Sequence, residues 1–346
     1  MLLDPLPRLN RIRVRLAVYI TVVVALFVAG GAWYMTFMPG PRHRGPLPPL
    51  QAWDLQLVSN LKGHVAMVAA GEHNVVFSES LERTARYIEA ALSGFGYAVA
   101  RQEFDAGGVK VRNIEVSVSS PGADRPRLIV VGAHYDSARG AAGADDNGSG
   151  VAALLEIARN LKSFYPAEGV EIRLVFYVNE ELPWYGTEKM GSYVHASGLK
   201  REGRDVMAML SLETIGWYSE APGSQHYPFP YSLFYPSTGD FIAFVGNLRS
   251  RKLLHFVVAS FRRHEPFPSE GAVGFESTQG ISWSDQWAYW KFGWPAVMVT
   301  DTALYRNPYY HTLQDSPDKL DYQKLARVVR GLEGMVRELA SPERPN

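Results

Sequence analysis

Residues 128–133 read LIVVGA, an apolar run without the polar alternation of a half-exposed strand. A strand of that kind must be covered on both faces, which points to a parallel sheet wrapped by helices. Helical periodicity follows at 149–163, and a second apolar run, EIRLVFYV, fills 171–178. Strand, helix and strand make a βαβ unit. Further strands are expected at 97–104, 111–118, 206–212 and 296–300, and helices at 52–69, 78–93, 239–247, 251–262 and 322–340, with Ser78 as N-cap of the second helix. The expected class is α/β: a single globular domain with a mostly parallel central β-sheet flanked by helices.

One N-terminal transmembrane helix is expected before that domain. Leu16–Met38 carries no charged side chain, and its 23 residues would extend about 35 Å as a helix, enough to cross a hydrocarbon core of about 30 Å. Arg8, Arg11, Arg13 and Arg15 precede it, and Trp33 and Tyr34 lie near its far end. By the positive-inside rule the N-terminus stays cytoplasmic and the rest is exported. The competing reading is a cleaved signal peptide, with small residues at Ala29–Ala32. The expected organisation is a cytoplasmic stub (1–15), a signal-anchor helix in the lipid bilayer (16–38), a stiff, exposed Pro-rich linker (39–52) and a globular domain (53–346) on the periplasmic or extracellular side.

Charge and cysteine narrow the chemistry. Six Arg and one Asp give residues 1–50 a net +5, so residues 51–346 carry −5 in a chain of zero net charge. No basic field for nucleic acid exists on the main body. The chain has no cysteine, so any metal must be held by histidine and carboxylate.

Those residue types recur where the strands end. LIVVGA is followed by His134-Tyr135-Asp136, and a short loop then gives GADDNGSG with Asp145 and Asp146. EIRLVFYV leads to Asn179-Glu180-Glu181, the strand at 206–212 to Glu213, and AVMVT, after a loop, to Tyr310-His311. On a parallel sheet these positions share one rim, where functional residues gather. Singly, each fits a structural histidine, a turn or a solvated acid. Two histidines and several carboxylates on one rim are the donor set of an oxygen- and nitrogen-ligated metal site.

The motifs AHYDS, GADDNGSG, NEE, SLETIG and YYHTLQDSPDKLD occur in the order and approximate spacing of the M28 family of zinc aminopeptidases, which the chain resembles over roughly residues 75–335. The resemblance implies two zinc ions. His134, Asp146 and Glu213 would hold one and Asp146, Glu181 and His311 the other, with Asp146 bridging. Many relatives have Asp where this chain has Glu213. The same resemblance implies Glu180 as general base and Tyr310 as hydrogen-bond donor to the oxyanion. Asp136 would accept the N–H of the His134 imidazole, and Asp285, in Ser284-Asp285-Gln286, would support the site from behind.

The substrate implied is a peptide with a free N-terminus. The stretch 214–236 holds seven aromatics and is expected to shape a pocket for apolar N-terminal residues. Three alternatives share the fold: a glutaminyl cyclase, a carboxypeptidase relative using Arg306 as a carboxylate clamp, and a non-catalytic receptor-like member. The full ligand set favours a hydrolase over the first and the last.

Overall fold

The computed structural model describes residues 8–122 and 125–341; residues 1–7 of the expected stub and 342–346 lie outside the described residues. Two units emerge, one ending at Phe37 and one beginning at Met38. The first contains helix α1 (Arg8–Thr36). Within it, Ile12–Thr36 has a mean hydropathy of 2.2 and contains no buried residue, so it is long and apolar enough to cross a membrane.

The second unit is built on an eight-stranded sheet: β1 (Ala100–Ala106), β2 (Val109–Ser119), β3 (Arg127–His134), β4 (Val170–Tyr177), β5 (Val206–Glu213), β6 (Ile242–Asn247), β7 (Ser269–Gly274) and β8 (Ala296–Thr300). Their order across the sheet is β1-β2-β4-β3-β5-β8-β6-β7. Strands β4, β3, β5 and β8 run parallel in the centre. The β1–β2, β2–β4 and β6–β8 pairs are antiparallel, and β6–β7 is parallel. Helices α2 (Ala52–Val68), α4 (Gly150–Leu161), α6 (Arg251–His264) and α8 (Tyr322–Leu339) pack together over one face, with α3 (Ser78–Gly94) beside them. Helices α5 (Gly191–Arg201) and α7 (Gln286–Lys291) lie on the other, over a core that includes Val130, Val175, Tyr177, Met209 and Tyr289. Both faces of β3 are therefore dry, and that burial is what its apolar run anticipates.

Two sequence expectations change, and one strand is not anticipated. Residues 239–247 were expected to be helical, but Ile242–Asn247 is strand β6, all six residues buried. A short apolar run carries no periodicity to separate the two, and pairing with β8 decides it. Strand β7 escapes sequence reading because SEGAVG is built of small residues; Met38 lies on Gly271, where even a Cβ would come within 2.7 Å of the Met38 sulfur. Ser78 is the first residue of α3 and not its cap; the capping side chain is Asn74, which accepts from the Val76 N–H (3.0 Å) and starts a 3-10 turn ahead of the helix.

The Pro-rich segment is exposed in its side chains but is not a free spacer. Arg262 Nη1 donates to the carbonyls of Pro39 and Gly40 (both 2.9 Å), and Arg327 Nη2 donates to that of Pro48. Proline has no N–H to donate, so a Pro-rich extended segment has more carbonyls than donors, and these arginines supply donors from outside it.

Candidate metal centre

Parallel strands deliver their last residues to one edge. His134 ends β3, Glu213 ends β5, and Glu180 and Glu181 follow β4. Asp146 lies in the turn between β3 and α4, and His311 in the loop after β8. All of these but Glu180 meet in two clusters of three that share Asp146. His134 Nε2 is 3.2 Å from Asp146 Oδ1 and 3.2 Å from Glu213 Oε2. His311 Nε2 is 2.9 Å from Asp146 Oδ2 and 3.4 Å from Glu181 Oε1. In each cluster of three the donor atoms lie within 4.8 Å of one another. Asp145 turns away: its oxygens accept from the Gly216 N–H (2.9 Å) and the Asn307 amide (2.8 Å).

The backbone bends sharply to bring the residues in. Among the described residues, four non-glycine positions take positive φ, and three belong to the centre: Asn179 (62°) before Glu180, Thr214 (46°) after Glu213, and His311 itself (56°). A β-branched residue in that region is unfavourable and persists only where its surroundings over-determine it. At Thr214 they do: its N–H donates to Asn147 Oδ1 (3.1 Å), and its hydroxyl donates to the Glu213 carbonyl (2.7 Å). Asn147 also donates to the Leu212 carbonyl (2.7 Å), tying the Asp146 turn to the end of β5.

Support from behind differs from the sequence expectation at two places. Asp136 was expected to accept the imidazole N–H of His134 through its carboxylate. That contact is 3.7 Å, too long for a hydrogen bond. The main-chain carbonyl of Asp136 accepts from His134 Nδ1 instead (3.0 Å), while its two carboxylate oxygens accept from the backbone N–H groups of Glu180 (3.1 Å) and Glu181 (3.2 Å). In Ser284-Asp285-Gln286 it is Ser284 that touches the cluster, its Oγ donating to Glu213 Oε2 (2.7 Å). Asp285 is buried, and burial pushes its carboxyl up to about 7 against the pull of His134. One further residue went unread. Asp315 accepts from the N–H groups of Asp145 (2.9 Å) and Asp146 (3.1 Å). Its position inside YYHTLQDSPDKLD, four residues after His311, was the only signal.

The electrostatics favour positive charge at this spot. Burial and the neighbouring acids push Glu180 well above the usual carboxylate range and Glu181 up to about 7. Burial opposes a charge on His311, yet Asp146 and Glu181 outweigh it and push the imidazole up to about 11. Asp146 is held low despite burial because the imidazoles of His134 and His311 stand against it. His134 Nε2 and Glu181 Oε1 are buried without a hydrogen-bond partner. Buried orphans cost about 1–3 kcal/mol each unless something else engages them. Two imidazoles and three carboxylates suit zinc.

An apolar cavity of about 110 Å³ opens beside the centre, lined by Glu213 and Tyr310 at its near end and by Tyr227, Tyr231, Ile281 and Trp283 among others. The aromatic stretch divides: Tyr227, Tyr231 and Tyr235 line the cavity, Tyr218 packs edge-on against Phe267, and Phe229 is exposed. The Tyr310 ring stacks on the His311 imidazole, centroids 4.0 Å apart. Burial and the surrounding acids push its phenol well above the usual range, so the O–H stays protonated and can donate. Arg306 is buried and does not line the cavity. Its Nη1 donates to the Phe241 carbonyl (2.9 Å), and its guanidinium lies over the Tyr218 and Phe241 rings. It is a packing cation and is not placed as a carboxylate clamp.

Comparison with known proteins places the chain in a family and a fold. Residues 115–336 match the family model described as Peptidase family M28. The chain is 43% identical to the Escherichia coli (strain K12) protein YfbL over 265 residues, 73% of this chain and 79% of that one. It is 26% identical to leucine aminopeptidase 1 of Ajellomyces capsulatus (strain NAm1 / WU24), covering 69% of this chain and 61% of that protein. Its fold resembles that of BSAP, a zinc aminopeptidase from Bacillus subtilis, with a TM-score of 0.64 at 15% identity, covering 84% and 96% of the two chains. It also resembles glutaminyl cyclase from Tannerella forsythia, with a TM-score of 0.58 at 20% identity, covering 83% and 99%.

Proposed function

The chain belongs to peptidase family M28, and from that premise we propose that it is a membrane-anchored aminopeptidase holding two zinc ions. The observation that carries this reading is the pair of three-residue clusters sharing Asp146 beside an apolar cavity. His134, Asp146 and Glu213 would hold one ion, and Asp146, Glu181 and His311 the other. Zinc, when bound there, lowers the pKa of a coordinated water and polarises a carbonyl.

The remaining work falls to the side chains. Glu180 takes the proton that the attacking water gives up, at a carboxylate oxygen, and returns it to the leaving amine nitrogen. Its main-chain N–H is fixed by Asp136, which sets where that oxygen can reach. The Tyr310 hydroxyl donates to the developing oxyanion. The aromatic cavity takes the side chain of the N-terminal residue and excludes water from it, which favours apolar residues. Helix α1 anchors the protein in the bilayer with its arginine-flanked end in the cytoplasm, so the peptidase unit lies on the far side.

The full-length, detergent-solubilised chain is to be assayed on aminoacyl anilides, on N-blocked peptides and on an N-terminal glutaminyl peptide, with and without chelator. Release of unblocked N-terminal residues, abolished by chelator and restored by zinc, is expected. Cleavage of N-blocked peptides alone would sink the aminopeptidase reading, and ring closure of the glutaminyl peptide without hydrolysis would point to a cyclase. Glu180→Gln should retain both ions by elemental analysis yet lose about 10²–10⁴-fold in kcat.

A further inference from the structure

The cavity beside the centre holds a charge that its apolar lining does not explain. Its lining residues include two carboxylates, Glu213 and Glu270, and no basic side chain. The two acids stand in one row of the sheet. Glu213 pairs with Thr300, Thr300 with Ala243, and Ala243 with Glu270. Directly opposed residues present their side chains on the same face, and three strand spacings place Glu270 about 14 Å from Glu213. Glu213 belongs to the metal centre at one end of the floor; Glu270 closes the other, with uncharged Thr300 and Ala243 between.

The partner of Glu270 comes from outside the cavity. Arg42 Nη2 is 2.5 Å from Glu270 Oε2, and the Glu270 side chain is 8% exposed. Arg42 lies on the Pro-rich segment, and its neighbours are fastened to the strand that carries Glu270. Met38 lies on Gly271, and Arg262 grips both sides. Its Nη2 donates to the Ser269 carbonyl (2.9 Å), its Nε to the Ser269 hydroxyl (3.1 Å), and its Nη1 to the Pro39 and Gly40 carbonyls (both 2.9 Å). A buried carboxylate facing an apolar cavity is costly unless paired, and here a residue far away in the chain is held in position to pair with it. Tyr227 and Tyr235 do not compensate it, since their hydroxyls donate to the carbonyls of Pro236 and Gly271 (both 2.8 Å).

We infer that Arg42 sets the selectivity of this cavity: paired with Glu270 it leaves the far end neutral for apolar side chains, and without it Glu270 selects a cationic side chain of lysine or arginine type. The enzymatic consequence rests on the aminopeptidase reading above; the pairing itself does not. Burial pushes Glu270 up and Arg42 is foremost among the groups pulling it down, with a net result of about 7. A ligand ammonium would take over the guanidinium's part and keep the acid ionised, so the measurements belong at pH 8.

The full-length chain is compared with Arg42→Ala, Glu270→Gln and the double variant, with Arg42→Gln as a second test should the alanine variant fold poorly. Two readouts are taken: the kcat/KM ratio for lysyl over leucyl p-nitroanilide, and the calorimetric affinity ratio for n-hexylamine over n-hexanol. Loss of Arg42 should raise both ratios by about tenfold, one hydrogen-bonded ion pair, and the double variant should return them to the wild-type value. Unchanged ratios in the Arg42 variants, or a rise that persists in the double variant, would overturn the inference. If the wild-type chain hydrolyses neither anilide, the aminopeptidase reading fails alone, and the calorimetric ratios still decide the role of Arg42.

Discussion

Asp136→Asn separates two accounts of how the centre is braced. In the structure each Asp136 carboxylate oxygen accepts one backbone N–H, from Glu180 and from Glu181. Asparagine offers one acceptor and one donor, so one of those buried N–H groups would face an NH₂. An unpaired buried donor costs about 1–3 kcal/mol, and the surviving bond, no longer charge-assisted, weakens by roughly another 1 kcal/mol. The expected loss is about 2–4 kcal/mol. At an m-value of about 3 kcal/mol/M this lowers the urea midpoint by roughly 1 M, measured in chelator so that metal binding adds nothing. Turnover should fall by at least about tenfold, because Glu180 loses the anchor that aims it. The His134 tautomer should not change, since its Nδ1–H donates to the Asp136 main-chain carbonyl, which the substitution keeps. Imidazole nitrogen shifts by NMR read this directly. A midpoint unmoved within about 0.2 M, or a changed tautomer at full stability, would refute the bracing described here.

Two other substitutions probe separate parts of the molecule. Asp315→Asn leaves one of the Asp145 and Asp146 N–H groups unpaired and should weaken zinc binding by about 10–100-fold in chelator competition; Asp318→Asn, at a side chain 69% exposed, is the control and should change nothing. Glu270 gives a pH signature. Burial raises its carboxyl from 4.5 to about 7, against the pull of Arg42, Arg262 and Arg44 and with a small push from Asp240, so the stability it contributes is fully present below about pH 4.5 and is lost as pH rises through 7. Between pH 8 and pH 5 the wild type should gain on Glu270→Gln by of order 2–3 kcal/mol; equal pH profiles by thermal denaturation would contradict this.

Different layers of the molecule were legible to different degrees. The parallel centre of the sheet could be read because β3 is dry on both faces and its composition says so. The edge could not: β6 and β7 depend on neighbours for their pairing, and SEGAVG has no pattern of its own. At the site, the acids and histidines stand at strand ends, so their residue types and the family resemblance point to them together. What sequence could not supply is which atom does what. Asp136 is in the motif, yet its carbonyl and carboxylate trade the parts expected of them. Ser284, not Asp285, reaches Glu213. Arg42 and Glu270 lie 228 positions apart and meet only because the Pro-rich segment is stitched down.

The clamp made by Asp315 on the Asp145–Asp146 backbone also dictates an order of assembly. It joins positions 169 and 170 residues apart, and His311 enters from the same late loop. A contact spanning so much chain carries its loop-closure cost before it gains anything. The half-site built from His134 and Glu213 can form once β5 exists, but the shared aspartate is seated only when nearly the whole sequence has been made. A ribosome-bound or truncated chain ending before this loop therefore holds an incomplete nest of acids, and the site can be completed only after Asp315 has been made.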